Sequence, residues 1–159
     1  MPPSPDELRE ALSRHAAAVS VVASADGGVY RGLTATSLVT VSLDPPTLLV
    51  SLDALTSTAE TVGSSGGYSV SLLAREQEFL AERFAGTAPP APPRWDGIPH
   101  TLTSGGRPVL RGALAWLDCA VEERYEVADH LLFVGRVLEV ASGSGNPLIW
   151  WGRQAWTIS

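Results

Sequence analysis

The patterning of the chain predicts an α+β fold, a mostly antiparallel β-barrel carrying a few peripheral helices. Three observations point there. Short β-branched and apolar runs, separated by glycine and proline, dominate residues 19–73. Two long β-type runs, 113–121 and 130–140, follow one another near the C-terminus, as neighbouring strands of an antiparallel barrel do. Helical patterns are confined to short stretches between or before the strands. With 159 residues the chain has the size of one domain, and 1–159 is read as a single unit without internal repeats.

Ser4-Pro5-Asp6-Glu7 opens the first helix: a capping serine, a proline at the first helical position and a glutamate three residues past the cap. Leu8, Leu12 and Ala16, spaced by four, predict its buried stripe. Val19–Ala23 reads as a strand, Asp26-Gly27-Gly28 as a turn, and Val29–Leu33 as the returning strand. Leu38–Ser42 is the next strand. Asp44-Pro45-Pro46 then breaks the chain, because adjacent prolines remove ladder donors and force an extended corner. Thr47–Leu52 is nearly continuous in apolar character, which predicts a central strand covered on both faces.

Thr56–Val62 is a short helix, ended by a Gly63-Ser64-Ser65-Gly66-Gly67 loop, and Tyr68–Leu73 alternates as a strand. Ala74–Phe84 reads as helical, with Phe79, Leu80 and Phe84 facing inward and Gly86 just past the end. Pro89, Pro90, Pro92 and Pro93 exclude a regular element and suggest a flap or partner arm. Glu122–Val127 is the connector between the two late strands.

Composition removes several function classes. The chain is 45% hydrophobic and 18% charged, too apolar for a disordered segment. No apolar run reaches the roughly 18 residues of a membrane span, and the N-terminus lacks a signal-peptide layout. A lone Cys119 permits no internal disulfide and, in an apolar run, is expected to be an inert core thiol. The expected compartment is cytoplasmic. All eleven basic residues are arginine, so Walker-type phosphate loops and lysine Schiff-base chemistry are excluded. A net charge of −6 does not fit a nucleic-acid footprint.

Motif spacing removes others. His15, His100, His130 and Cys119 show no metal-ligand spacing, and no metal is expected. Gly63–Gly67 matches G-x-S-x-G, but the nucleophile elbow needs a strand before it and a helix after. Here that order is reversed.

Hydroxyls carry the positive signal. Gly32–Pro46 holds Thr34, Thr36, Ser37, Thr40 and Ser42 around a strand end and a rigid corner. An edge strand with a polar face would account for them. Equally, hydroxyls and backbone N–H groups can form a lysine-free phosphate nest. Thr56-Ser57-Thr58 begins the next helix, where an anion is also favoured. Two such clusters flanking one strand favour a phosphorylated ligand.

Gly32-Leu33-Thr34-Ala35-Thr36-Ser37, followed by Val41-Ser42-Leu43-Asp44-Pro45-Pro46, resembles the signature of the short-chain flavin reductases of two-component monooxygenase systems. Gln77 through Arg83-Phe84-Ala85-Gly86, Pro108–Cys119 and Asp129–Val137 resemble further segments of that family, in the same order. The likeness covers nearly the whole chain. It implies a mostly antiparallel, FMN-binding split β-barrel, reduction of FMN or FAD by NADH or NADPH, a homodimer, and a separate flavin-dependent monooxygenase that receives the reduced flavin.

The resemblance also assigns residues. Thr34, Ala35, Thr36 and Ser37 would meet the flavin ring and ribityl edge, with Ser51 beneath the same ligand. Thr56, Ser57 and Thr58 would cradle the phosphate, and Arg83, Phe84 and Ala85 would close over that side. His130 would serve hydride transfer by orienting the nicotinamide or balancing charge. Without the resemblance, His130 reads as a strand histidine bonded to Asp129.

The chain departs from the family pattern at several positions. Ser57 stands where many members carry arginine, and Ala128 where glycine is usual. Trp150, Trp151 and Trp156 are bulkier than usual, suited to narrowing the pocket or, with the proline-rich loop, to a subunit interface. The competing class is a non-enzymatic flavin- or haem-binding protein on the same barrel, which would not need the Asp129-His130 pair.

Overall fold

The computed structural model describes residues 1–86 and 95–159; the proline cluster at 89–93 lies outside the described residues. Helix α1 (Pro5–Leu12) precedes strands β1 (Ala17–Ala18), β2 (Ser20–Asp26), β3 (Val29–Ala35), β4 (Leu38–Leu43) and β5 (Pro46–Asp53). Helix α2 (Ser57–Ser65) and strand β6 (Gly67–Leu72) follow, and a 3-10 turn (Arg75–Gln77) leads into α3 (Glu78–Phe84). The rest is β: β7 (His100–Leu102), β8 (Pro108–Leu110), β9 (Ala115–Val127), β10 (His130–Ser142), β11 (Ile149–Trp151) and β12 (Gln154–Trp156).

The main sheet is antiparallel throughout, in the order β3-β2-β6-β9-β10-β5-β4. One core draws on all of its strands: Ala35, Val22, Val70, Cys119, Phe133 and Val50, with Leu38 packed against them. Only a sheet rolled on itself brings side chains from both of its edges into one core. Helix α2 plugs this core with Ala59 and Val62. Among the described residues β3 pairs only with β2, and β4 only with β5. The two edges are consecutive in the chain, joined by Thr36-Ser37, so the barrel is split there. A second core, built from Val21, Leu80, Phe84, Trp95 and Leu110, covers the outer face of β2.

Local chemistry explains the elements. Ser4 Oγ accepts from the Glu7 N–H at 3.2 Å, and the Glu7 carboxylate accepts from the Ser4 N–H at 2.8 Å, closing the capping box. The β2–β3 hairpin turns on Gly27 and Gly28, both at positive φ, as a tight two-residue turn demands. Gly32 allows another close approach: a Cβ there would stand 3.1 Å from both Phe84 and Trp95.

Several expectations are corrected. Leu8, Leu12 and Ala16 are exposed: α1 buries no residue, and its contact with the β11–β12 turn is polar, Arg153 to Glu10 at 3.0 Å. Thr47–Leu52 is buried on one face only, through Leu48, Val50 and Leu52, because the second core, which covers the outer face of β2, includes no residue of β5. The strands covered on both faces are β2 and β6, and their serines disguised them. The stretch at Gly63–Ser65 is the last turn of α2, not a loop; Gly66, in the left-handed conformation, ends the helix. Phe79 is exposed, because it falls on the far side of α3 from Leu80 and Phe84. Glu122–Val127 is strand: β9 runs on to Val127, and the reversal occurs at Ala128-Asp129.

Candidate functional site

At the split, Thr34, Ala35, Thr36 and Ser37 share one cleft of about 460 Å³ with Ser51, Asp53, Thr56, Phe84, Ala85 and His130. Sheet register explains the convergence. Leu38 lies opposite Val50, which carries Ser37 to Ser51, and His130 lies opposite Asp53 at the end of β5. The turn into α2 is tied to the β9–β10 tip, since the Ala54 N–H donates to the Asp129 carbonyl at 3.0 Å. The start of α2 and His130 are thereby fixed at the same mouth.

The hydroxyls are mostly committed to the fold. Thr34 Oγ1 donates to the Ala81 carbonyl at 2.5 Å, fastening α3 to β3. Ser37 Oγ donates to the Ser51 carbonyl at 2.6 Å and bridges the split. Thr56 Oγ1 donates to the Asp53 carbonyl and accepts from the Ala59 N–H as the helix cap. Thr36 Oγ1 and Ser51 Oγ keep no partner among the described residues, and open backbone groups stand beside them. Among the described residues no protein acceptor takes the Thr36 or Ser37 N–H. The Ser57 and Thr58 N–H groups are the open donors of the first turn of α2. An anion or carbonyl held here would be met by these amides, the helix terminus and the Thr36 and Ser51 hydroxyls.

Three of the expected residues stand apart from the cleft. The Ser57 side chain lines a neighbouring groove, with Arg31. Thr58 is only 2% exposed, so its hydroxyl turns into the core. Arg83 is half-buried and engaged in contacts of its own, and is not among the described residues lining the cleft. Phe84 is buried, its ring tilted against Trp95 at 4.9 Å.

His130 Nδ1 lies 2.7 Å from the Asp129 carboxylate. An ionised carboxylate can only accept, so Nδ1 carries the proton and Nε2 is left as the free ring nitrogen. The hydrogen bond from His130 holds the Asp129 carboxyl below the usual carboxylate range. Both side chains are solvent-accessible, Asp129 at 83% and His130 at 44%.

Thr34, Ala35 and Thr36 also wall a second cavity of about 430 Å³, closed by Val19, Ala81, Leu148 and Trp150. Trp150 reaches it because β11 pairs with β1, setting Trp150 opposite Ala17. Trp151 and Trp156 instead pack edge-on against each other at 5.9 Å, partly exposed. Leu33 and Asp53 were not singled out from sequence. Leu33 sits inside the hydroxyl motif, and Asp53 directly follows the apolar run Thr47–Leu52 that carries Ser51, which were the available signals.

The flavin reductase like domain family matches residues 12–159. An NADH-dependent flavin reductase of a Rhodococcus species is 36% identical over 151 residues, covering 93% of this chain and 83% of the relative. The reductase component of a Thermus thermophilus 4-hydroxyphenylacetate 3-monooxygenase is 36% identical, covering 93% of each chain. Among solved structures, BorF, the flavin reductase component of a bacterial two-component tryptophan halogenase, superposes with a TM-score of 0.89 at 31% identity, over 98% of both chains. With a split barrel, a donor-rich cleft at the split and these relatives, the chain belongs to the flavin reductase-like family.

Proposed function

We propose that the cleft at the split binds FMN or FAD, and that the chain reduces it with NADH and passes the reduced flavin to a separate flavin-dependent oxygenase. The carrying observation is the convergence of Thr34–Ser37, Ser51, Thr56, Phe84, Ala85 and His130, from distant parts of the sequence, on one cleft. The donor set suits a flavin: unspent amides at Thr36 and Ser37 match the carbonyls and ring nitrogens of an isoalloxazine. Open amides at Ser57 and Thr58 suit its phosphate. When bound, the two cofactors supply the hydride donor and acceptor.

The protein's task is placement. Ser37 locks the split through Ser51, Thr34 holds α3 against the cleft, and Phe84 fills the wall between them. Holding two rings in contact is itself a large kinetic term. Asp129 fixes the tautomer of His130, presenting Nε2 at the mouth as an acceptor for a carboxamide N–H. A homodimer would cover outward-facing Val39 and Val41 of the edge strand β4, both exposed in the single chain.

Purified protein mixed with FMN or FAD and NADH or NADPH in air tests the function. The expected result is flavin-dependent oxidation of the nicotinamide, faster with NADH. Tight flavin binding without nicotinamide oxidation would favour the non-enzymatic carrier, which finds no support in the three relatives named above.

A further inference from the structure

We propose that a second groove, continuing from the cleft between β3 and α2, receives the adenylate arm of FAD, and that Arg31 there makes the chain favour FAD over FMN. The inference rests on the flavin reading and extends it to the choice of flavin. The groove measures about 480 Å³ and is lined by Val29, Arg31, Ser57, Glu60, Thr61 and Ser64, with Asp26 at its end.

Cleft and groove have no lining residue in common, but β3 and the start of α2 border both. Alternation along β3 puts Val29, Arg31, Leu33 and Ala35 on one face. Leu33 and Ala35 line the cleft, whereas Val29 and Arg31 line the groove. Along α2, Thr56 belongs to the cleft, and Ser57, Glu60, Thr61 and Ser64 belong to the groove. From Ser57 to Ser64 the helix extends the path by about 10 Å at its usual rise. A ligand whose first phosphate meets the open amides of α2 would therefore enter the groove with whatever follows that phosphate.

The groove's charges match that continuation. Arg31 is the cation among the lining residues and is exposed. Two carboxylates, Asp26 and Glu60, face the same space, yet neither forms an ion pair with Arg31 among the described residues. Asp26 is instead held by the Ser64 hydroxyl at 2.6 Å. An unpaired guanidinium suits the second phosphate of a pyrophosphate. The carboxylates, which only accept, suit ribose hydroxyls and an exocyclic amine. FMN ends at its single phosphate, whereas FAD continues past it into the groove that Arg31 lines.

FAD, FMN and adenosine monophosphate are titrated into the full chain and into Arg31→Gln and Arg31→Lys, with KM for NADH measured separately using FMN as acceptor. The wild type is expected to bind FAD more tightly than FMN. Arg31→Gln should raise the Kd for FAD about tenfold and that for FMN by less than about twofold, with Lys recovering part of the loss. Adenosine monophosphate should compete with FAD and leave FMN in place. Equal losses for both flavins, or no loss, would overturn the proposal. A change confined to the KM for NADH would overturn it too, by assigning the groove to the nicotinamide dinucleotide. If the wild type binds neither flavin, the flavin reading itself fails, which is a different outcome.

Discussion

The barrel has two seams that use the same residue types for opposite ends. Where β6 meets β9, polar groups are buried and spent on the protein. Ser69 donates to the Pro108 carbonyl at 2.6 Å, Ser71 accepts from the Leu110 N–H at 3.0 Å, and Asp118 takes both the Nε and an Nη of Arg107. Where β3 and β4 would meet, no ladder forms among the described residues, and the Thr36 and Ser37 amides stay open. A serine- and threonine-rich strand is thus a structural device where the sheet is closed and a binding device where it is split. Its neighbours decide which, and composition does not.

The largest effect should come from breaking the closed seam. Asp118→Ala leaves Arg107, whose side chain is 11% exposed, without its partner, and should cost about 3–5 kcal/mol in urea unfolding. A loss below about 1 kcal/mol would mean that the pair is solvated and the contrast overstated.

At the open seam the same kind of substitution should spare stability and strike function. His130→Ala is expected to lower NADH-driven turnover about tenfold or more, as expected for a lost positioning contact, while the flavin Kd barely moves. Unchanged turnover would remove His130 from the site. Ser57→Pro removes one N–H at the first helical position, where proline fits the helix, and the extended backbone of Thr56 tolerates it. It should weaken FMN binding severalfold with the melting temperature kept, whereas Ser57→Ala, which retains the amide, should do little. Equal effects of the two would shift the role to the hydroxyl.

Smaller effects separate fastening from contact. Thr34→Val, which loses the bond to the Ala81 carbonyl, should cost about 1 kcal/mol of stability, with a minor change in flavin affinity. Back at the closed seam, burial pushes the Cys119 thiol up to about 12. Native protein should therefore resist thiol reagents at pH 8 until it is unfolded. Rapid native labelling would show that the core opens more easily than its packing implies.

Much of this was legible from residue order. The capping box at Ser4, the Gly27-Gly28 turn and the buried Cys119 follow from local chemistry, and the hydroxyl motif marked the cleft. What escaped was set by neighbours. Thr47–Leu52 reads as a strand covered on both faces, yet the second core that covers β2 includes none of its residues. Ser69 and Ser71 break the apolar pattern of a strand that is buried on both faces. Leu8 and Leu12 have helical spacing but stay exposed. In the site, Thr34–Ser37, Ser51, Thr56, Phe84, Ala85 and His130 meet in one cleft while Ser57, Thr58 and Arg83 stand apart, and the Thr34, Ser37 and Thr56 hydroxyls already serve the fold. A sequence shows the hydroxyl; only the three-dimensional arrangement shows which carbonyl has taken its proton.

The central claim is that main-chain amides at the split, more than side-chain hydroxyls, hold the flavin. Amide NMR of labelled protein titrated with FMN tests it most directly. The Thr36, Ser37, Ser57 and Thr58 amide resonances should move furthest and together, at one shared affinity. Large shifts confined to the β6–β9 side, with those four amides unmoved at saturation, would contradict the account.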